Sequence, residues 1–430
     1  MASDLKLHLE QLRVVDTHEH LMGEDQWLEK GPGDVLADLF GHYAHKDLIA
    51  AGVSAETMTR VLDAGNPDLE QRWQLIESAW HAMQFTGYGE ALRLAARHVY
   101  GIEEISPASL GSAAPRLQAL RQPGQRYQFL SEVAHLDHVQ VNQLIPTVDK
   151  SGPEFFLYDL SWAALSCGGS PALFFQPHGY SVTDLASLKR AIEAYFNRYG
   201  PLAIAVKTQH AYNRTLHWQA RSDGEAERAL AVVLKDPQNA DEASRLCLGD
   251  WCLGQGVTQA IGHRLPVKIH TGYYYNNNVM VMERIRPSLL CPLLIRYPEA
   301  KFVLMHTGYP YGHELPALAK HFGNVYVDLC WAWAMDPFAT MDVVRRFVHA
   351  APSNKLFAFG GDTHSPTSTY GYLLQMRRWL GKTLEAEMAE GTMSEGQAMV
   401  LATSILRENQ LVCFDVSGRR ALLRAAAAVS

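Results

Sequence analysis

The chain has 430 residues, 47% of them hydrophobic, and a formal net charge of −7. That supports a large core, too large for one ordinary domain unless the fold is a barrel with insertions. The acidic balance and lack of a basic run argue against nucleic acid, no apolar run nears the roughly 20 residues of a membrane span, and Met1–Arg13 has no apolar stretch of the signal-peptide kind. Six scattered cysteines read as reduced thiols, so a cytoplasmic protein is expected.

The first informative stretch is Val14-Val15-Asp16-Thr17-His18-Glu19-His20. Strand side chains alternate, so His18 and His20 share a face about 7 Å apart. Two neutral imidazoles there can hold a divalent ion such as zinc; alternatively they are two polar residues ending a strand. Glu19 alternates away from the pair. Residues 21–126 follow as a long helical insertion, with helices expected over 34–50, 54–64, 67–85, 90–100 and 109–120. Asn66-Pro67, Gly87-Tyr88-Gly89 and Ser106-Pro107 punctuate it.

Short apolar runs then recur between helical patterns. Strands are expected at 138–142, 173–178, 202–208, 266–271, 301–307, 324–329 and 355–362, the first of these being the weakest. Helices are expected over 184–199, 224–234, 241–261, 281–297, 314–322 and 337–350. Counting 14–20, there are eight strands. Strand and helix repeated with right-handed crossovers predict an α/β fold, a (β/α)8 TIM barrel. The whole of 1–430 reads as one barrel domain. Residues 370–430 form a helical C-terminal extension, with Ser394 and Gln397 as a capping box.

Polar residues sit where these strands end: His18 and His20, Lys207, His270, His306 and Asp362. Strand C-termini of a barrel converge on the mouth where its chemistry is done. One such histidine is more often structural; the set together points to a metal.

This pattern resembles the amidohydrolase superfamily: His-x-His after strand one, Lys or Glu after four, His after five and six, Asp after eight. The likeness covers about 14–362 and the C-terminal helix. Ala205-Val-Lys-Thr-Gln-His-Ala-Tyr-Asn-Arg214, Lys268-Ile-His-Thr-Gly272 and Val303-Leu-Met-His-Thr-Gly-Tyr-Pro-Tyr311 are similar to its amidohydrolase 2 branch. That branch includes the amidohydrolase-like half of certain glutamine synthetase fusions. The insertion and His270-Thr-Gly-Tyr-Tyr-Tyr-Asn-Asn-Asn278 resemble uronate isomerases.

The resemblance implies a metal-dependent hydrolase of a small carboxylate-bearing amide, lactone or ester. His18, His20, His270 and Asp362 would hold one or two divalent ions, zinc before manganese. Asp362, His306 and Lys207 would be catalytic. Such an ion lowers the pKa of its water from about 15.7 toward about 7. Asp362 would move the proton to the leaving group, and His306 would ligate a second ion or hydrogen-bond the substrate carbonyl. An ordinary ammonium beside a dication is unfavourable, so Lys207 is a carboxylated bridge, a neutral base, or a charged partner for a substrate carboxylate.

Arg214, Tyr212, Tyr273, Trp331 and His364 are the expected substrate contacts, the guanidinium suiting a carboxylate. His178, His210, Tyr274, Tyr275 and Trp333 are neighbours. Arg93 and Arg97 count only if the insertion folds over the mouth. Cys330 reads as a buried thiol without a base partner. A uronate isomerase-like or decarboxylase activity is the alternative, although decarboxylases of this kind tend to begin with Glu-x-His. A barrel that has lost catalysis is the third reading. A small molecule is the expected partner, and a homo-oligomer stays open.

Overall fold

The computed structural model describes residues 4–143, 146–149, 151–275 and 279–427; Asn276, Asn277 and Asn278 lie outside the described residues. Eight parallel strands pair in sequence order: β1 (Val14–Glu19), β2 (Leu136–Gln143), β3 (Phe156–Ser161), β4 (Ala203–Thr208), β5 (Val267–His270), β6 (Phe302–Met305), β7 (Val325–Asp328) and β8 (Leu356–Phe357). Backbone bonds complete the ring past β8. Thr17 N–H donates to Phe359 O at 3.2 Å and Asp362 N–H to His18 O at 2.8 Å. The fold is a (β/α)8 barrel, as expected. Among the described residues no helix is long and apolar enough to cross a membrane.

One expected strand is corrected. Residues 173–178 form a short helix, Pro171–Phe175, and a 3-10 turn, Gln176–His178. Ser170 caps the helix with Pro171 in its first turn, a start signal that outweighs the aromatic run. The third strand is Phe156–Ser161, whose first five residues are buried. His178 therefore ends no strand and lies against Tyr195 and Tyr199.

The insertion is helical, in shorter pieces than its periodicity suggests. The helix expected over 34–50 is two, Val35–Phe40 and Ala44–Ala50, separated by Gly41, His42 and Tyr43. Residues 281–297 are likewise two 3-10 turns and the helix Cys291–Arg296. The insertion is docked through the helix Gly87–Tyr100 onto the long helix Pro366–Ala389. Gly371 permits the close approach, since a Cβ there would lie 2.6 Å from Ala91 O. Glu90 accepts from Gln375 Nε2 at 3.1 Å and Trp379 Nε1 at 2.6 Å. The insertion's apolar side chains belong to the same continuous core as the strands. The capping box of Ser394 and Gln397 is present.

The barrel interior beneath the mouth is polar. Lys268 on β5 is wholly buried and donates to both oxygens of Asp159 on β3 at 2.8 and 2.9 Å, and to Thr17 O at 2.7 Å. Asp16 Oδ1 accepts from His18 N–H at 3.1 Å and Gly361 N–H at 3.2 Å. Glu19 takes the Thr363 N–H and, at 2.9 Å, the Thr369 hydroxyl. These bonds tie the end of β1 to the loop after β8.

Candidate metal centre

The two histidines of the opening motif meet at the end of β1, beside the loop after β8. Nε2 of His18 and Nε2 of His20 lie 3.3 and 3.1 Å from one oxygen, Asp362 Oδ1. The three residues offer ligand atoms within 4.8 Å of one another. His18 and Asp362 are almost wholly buried; His20 is about a quarter exposed. Burial alone would raise the Asp362 carboxyl, but His18, His20 and His306 hold it well below the usual carboxylate range. Burial, assisted by Lys207, pushes the His18 imidazolium down. The result is an ionised carboxylate facing an imidazole kept neutral.

This donor set fits a divalent ion. Asp362 Oδ1 is buried and accepts no hydrogen bond among the described residues, although two ring nitrogens face it. His306 Nε2 is a buried nitrogen that likewise has no partner among the described residues. Orphaned buried polar atoms are rare and call for a cause. A cation among them supplies one, and a nitrogen–oxygen set of this kind suits zinc.

Backbone strain marks the same rim. His306, Thr307, Trp331 and Asp362 have positive φ, at 64, 53, 65 and 57°. All lie just beyond β6, β7 or β8, and such conformations persist only where the surroundings enforce them.

The other strand-end residues arrive at the mouth with different roles open to them. His306 Nδ1 lies 3.2 Å from Cys330 O. A carbonyl only accepts, so Nδ1 carries the proton and Nε2 keeps a lone pair. In that form His306 is a ligand or acceptor, not a donor to a substrate carbonyl. His270 Nε2 faces Tyr273 O at 2.9 Å, leaving its lone pair on Nδ1. Its ring is 4.2 Å from that of His306, but it is not in the His18–His20–Asp362 cluster. Burial brings the Lys207 ammonium down to about 8, with Asp362 and Cys330 pulling the other way. Its Nζ contacts Met305 Sδ at 2.9 Å.

Arg214 is a correction. Its guanidinium is buried and engaged by Asp250 Oδ1 at 2.5 Å and by the carbonyls of Ser166, Thr215 and His217. It braces the loop after β4 instead of awaiting a substrate. Arg93 and Arg97 also lie away from the mouth, Arg93 over the Phe85 ring and Arg97 paired with Glu103.

Tyr212, His364, Tyr273 and Trp331 do gather around the centre. Tyr212 and His364 line a cavity of about 370 Å³ with His20, His42, Tyr43 and Tyr275. The His364 ring lies 5.3 Å from that of His20. Tyr273 is 5.7 Å from Trp331, and Trp331 5.7 Å from His306. His42 and Tyr43 are functional candidates that sequence reasoning missed. They occupy the break between two insertion helices, where Tyr43 stacks on Trp331 at 4.3 Å. Both ring nitrogens of His42 are buried and have no hydrogen-bond partner among the described residues. Burial, with His364 adding to it, holds its imidazolium far below the usual value, so the ring is neutral. The Gly41 that stops the preceding helix was the readable signal.

Fold and site thus define a barrel whose mouth carries a candidate metal-ligand set, with residues of a helical insertion beside it. The chain belongs to the amidohydrolase family, whose Amidohydro_2 model matches residues 15–390, and it is an enzyme of that superfamily. It is 27% identical over 232 residues to protein fluG of Emericella nidulans, a match covering 50% of this chain and 26% of that protein. In structure it is similar to glucuronate isomerase of Caulobacter crescentus, with a TM-score of 0.75 at 18% identity over 96% and 93% of the two chains. It is also similar to uronate isomerase of Thermotoga maritima, with a TM-score of 0.74 at 14% identity over 95% and 96%. A Lactobacillus casei protein assigned as a metal-dependent hydrolase follows, with a TM-score of 0.65 at 16% identity over 97% and 99%. At these identities the structural likenesses speak for the fold alone.

Proposed function

We propose that the protein is a metal-dependent hydrolase of a small amide, lactone or ester. The observation that carries this reading is the convergence of two histidine nitrogens on one oxygen of an ionised, buried carboxylate. His18, His20 and Asp362 would hold the ion, with zinc the best match, and His270 stands one ring behind them. When bound, a divalent ion there supplies Lewis acidity and a more acidic water.

The chain's own groups do the rest. Asp362, ionised, accepts a proton and returns it to the leaving group. Trp331, Tyr43 and Tyr273 exclude water from one side. Neutral His42 and His364, with Tyr212, orient the substrate in a cavity sized for a small molecule. With Arg214 committed elsewhere, Lys207 is the cation that a substrate carboxylate would meet.

A second reading is an aldose–ketose isomerase of uronates, the kind of enzyme that two proteins of this fold are. Zinc- and manganese-loaded protein should be assayed with N-acyl amino acids and lactones by pH indicator, and with uronates by polarimetry. Acid release supports the hydrolase. Rotation change without acid release favours the isomerase. Silence in both refutes the two readings together.

A further inference from the structure

The cavity at the mouth has two sides of different chemistry. His20, His42 and His364 reach it from the end of β1, the insertion and the loop after β8. The other wall is Ala163, Ala164, Cys167, Gln209 and Asn213, from the segments after β3 and β4. In the ring β4 stands across from β8, so this wall is remote from Asp362. Among the described residues no lysine, arginine, aspartate or glutamate lines the cavity.

The two amides of that wall present opposite ends. Gln209 Oε1 accepts from Asn142 Nδ2 on β2 at 3.3 Å. Its Nε2 has no partner among the described residues and is left as a donor. Asn213 is the reverse: its Nδ2 donates to Cys167 Sγ at 3.7 Å. Its Oδ1 has no partner among the described residues and is left as an acceptor. The 3-10 turn His210–Tyr212 separates them, and both line the one cavity. That turn is held firmly. Asn213 N–H and Arg214 N–H both donate to His210 O, at 3.0 and 2.9 Å, and the buried Arg214–Asp250 pair pins the chain directly after Asn213. Donor and acceptor are thus in place before a ligand arrives.

A carboxamide satisfies both groups: its oxygen accepts from Gln209 and its NH2 donates to Asn213. A carboxylate only accepts and would set its charge against Asn213 Oδ1. An ammonium only donates and would meet the Gln209 hydrogens. We propose that Gln209 and Asn213 are specificity-determining residues, selecting a substrate with a neutral carboxamide at the end remote from Asp362. This rests on the reading of the mouth as a hydrolytic centre. A substrate carboxylate, where there is one, stays with Lys207.

The test is calorimetric titration of the full zinc-loaded chain with three sulfonamides that cannot be hydrolysed as amides: N-methylsulfonyl-L-glutamine, -L-glutamate and -L-norvaline. They differ only at the side-chain end. The glutamine compound should bind about tenfold or more tighter than either other. Gln209→Lys should reverse the order in favour of glutamate, which a merely structural residue would not do. Equal affinities, a preference for glutamate or norvaline in the wild type, or no binding at all overturns the wall. The wild-type titrations decide even if the variant fails to fold. Acid release from the matching N-acetyl compounds judges the hydrolase separately. Equal rates on all three keep the hydrolase and overturn the wall. No acid release with the binding preference intact supports the wall and overturns the hydrolase alone.

Discussion

Replacing Lys268 by Met isolates the interior ion pair. Lys268 and Asp159 are both wholly buried, and the ammonium makes three hydrogen bonds of 2.7 to 2.9 Å. Removing it leaves a carboxylate with no counter-charge in a low-dielectric interior, a loss of about 3–5 kcal/mol. An unfolding entropy near 2.1 cal/mol/K per residue over 430 residues turns this into a fall in Tm of about 3–6 °C. The loss should depend on pH. In the wild type, burial raises the Asp159 carboxyl, but Lys268 and His18 bring it below its ordinary value. Its stabilisation is thus present above the unfolded pKa and lost as pH falls through the folded one. Without Lys268 the folded value rises above the unfolded one. The penalty is then full at high pH and shrinks on acidification. Thermal unfolding in chelator, at pH 7 and at about pH 5, should show a smaller gap between wild type and variant at the lower pH. Lys268→Met with Asp159→Leu should recover most of the loss, because both charges are gone. A fall of under about 1 °C, or a gap independent of pH, would refute the reasoning.

Other outcomes follow from the mouth. His18→Ala or His20→Ala should abolish both metal content and turnover; full metal and rate in either would overturn the centre. Asp362→Asn should keep much of the metal while losing about 10²–10⁴ of the rate, read by elemental analysis beside steady-state kinetics. His42→Ala should raise KM by about tenfold without a matching fall in Tm; a change in Tm alone would make it a packing residue. Asp328, raised by burial to about 7 from 3.8, favours its protonated form in the fold. Stability should therefore drop, by up to about 4 kcal/mol, as pH rises from the unfolded carboxylate range to about 7. Asp328→Asn should flatten that drop, measured by denaturant titration across the range.

The barrel was legible because strand-end chemistry and strand pattern repeat together. Seven of the eight strands fall where apolar runs precede a polar terminus. The third was misplaced because Leu173-Phe-Phe has strand composition, whereas Ser170 and Pro171 supply a helix start. His18, His20 and Asp362 could be paired because strand order alone brings them to one end. Arg214 could not be judged, since its partner Asp250 is 36 residues away on the helix Glu242–Gly262. His42 and Tyr43 were hidden for a related reason. Periodicity carries through a three-residue break, and only tertiary packing shows that the break faces the mouth.

That break has an evolutionary consequence. The proposed ion ligands sit at or just beyond the ends of β1 and β8, which the whole ring holds in place, while His42 and Tyr43 hang from a detour between two short helices. On the proposed reading, selectivity and reactivity would be inherited through different stretches of chain. Drift in residues 34–50 can remodel what the cavity admits and leave the ligand triad untouched. Relatives that agree at every strand end can then diverge in diet, and grafting this one detour between them is the economical experiment for exchanging substrates.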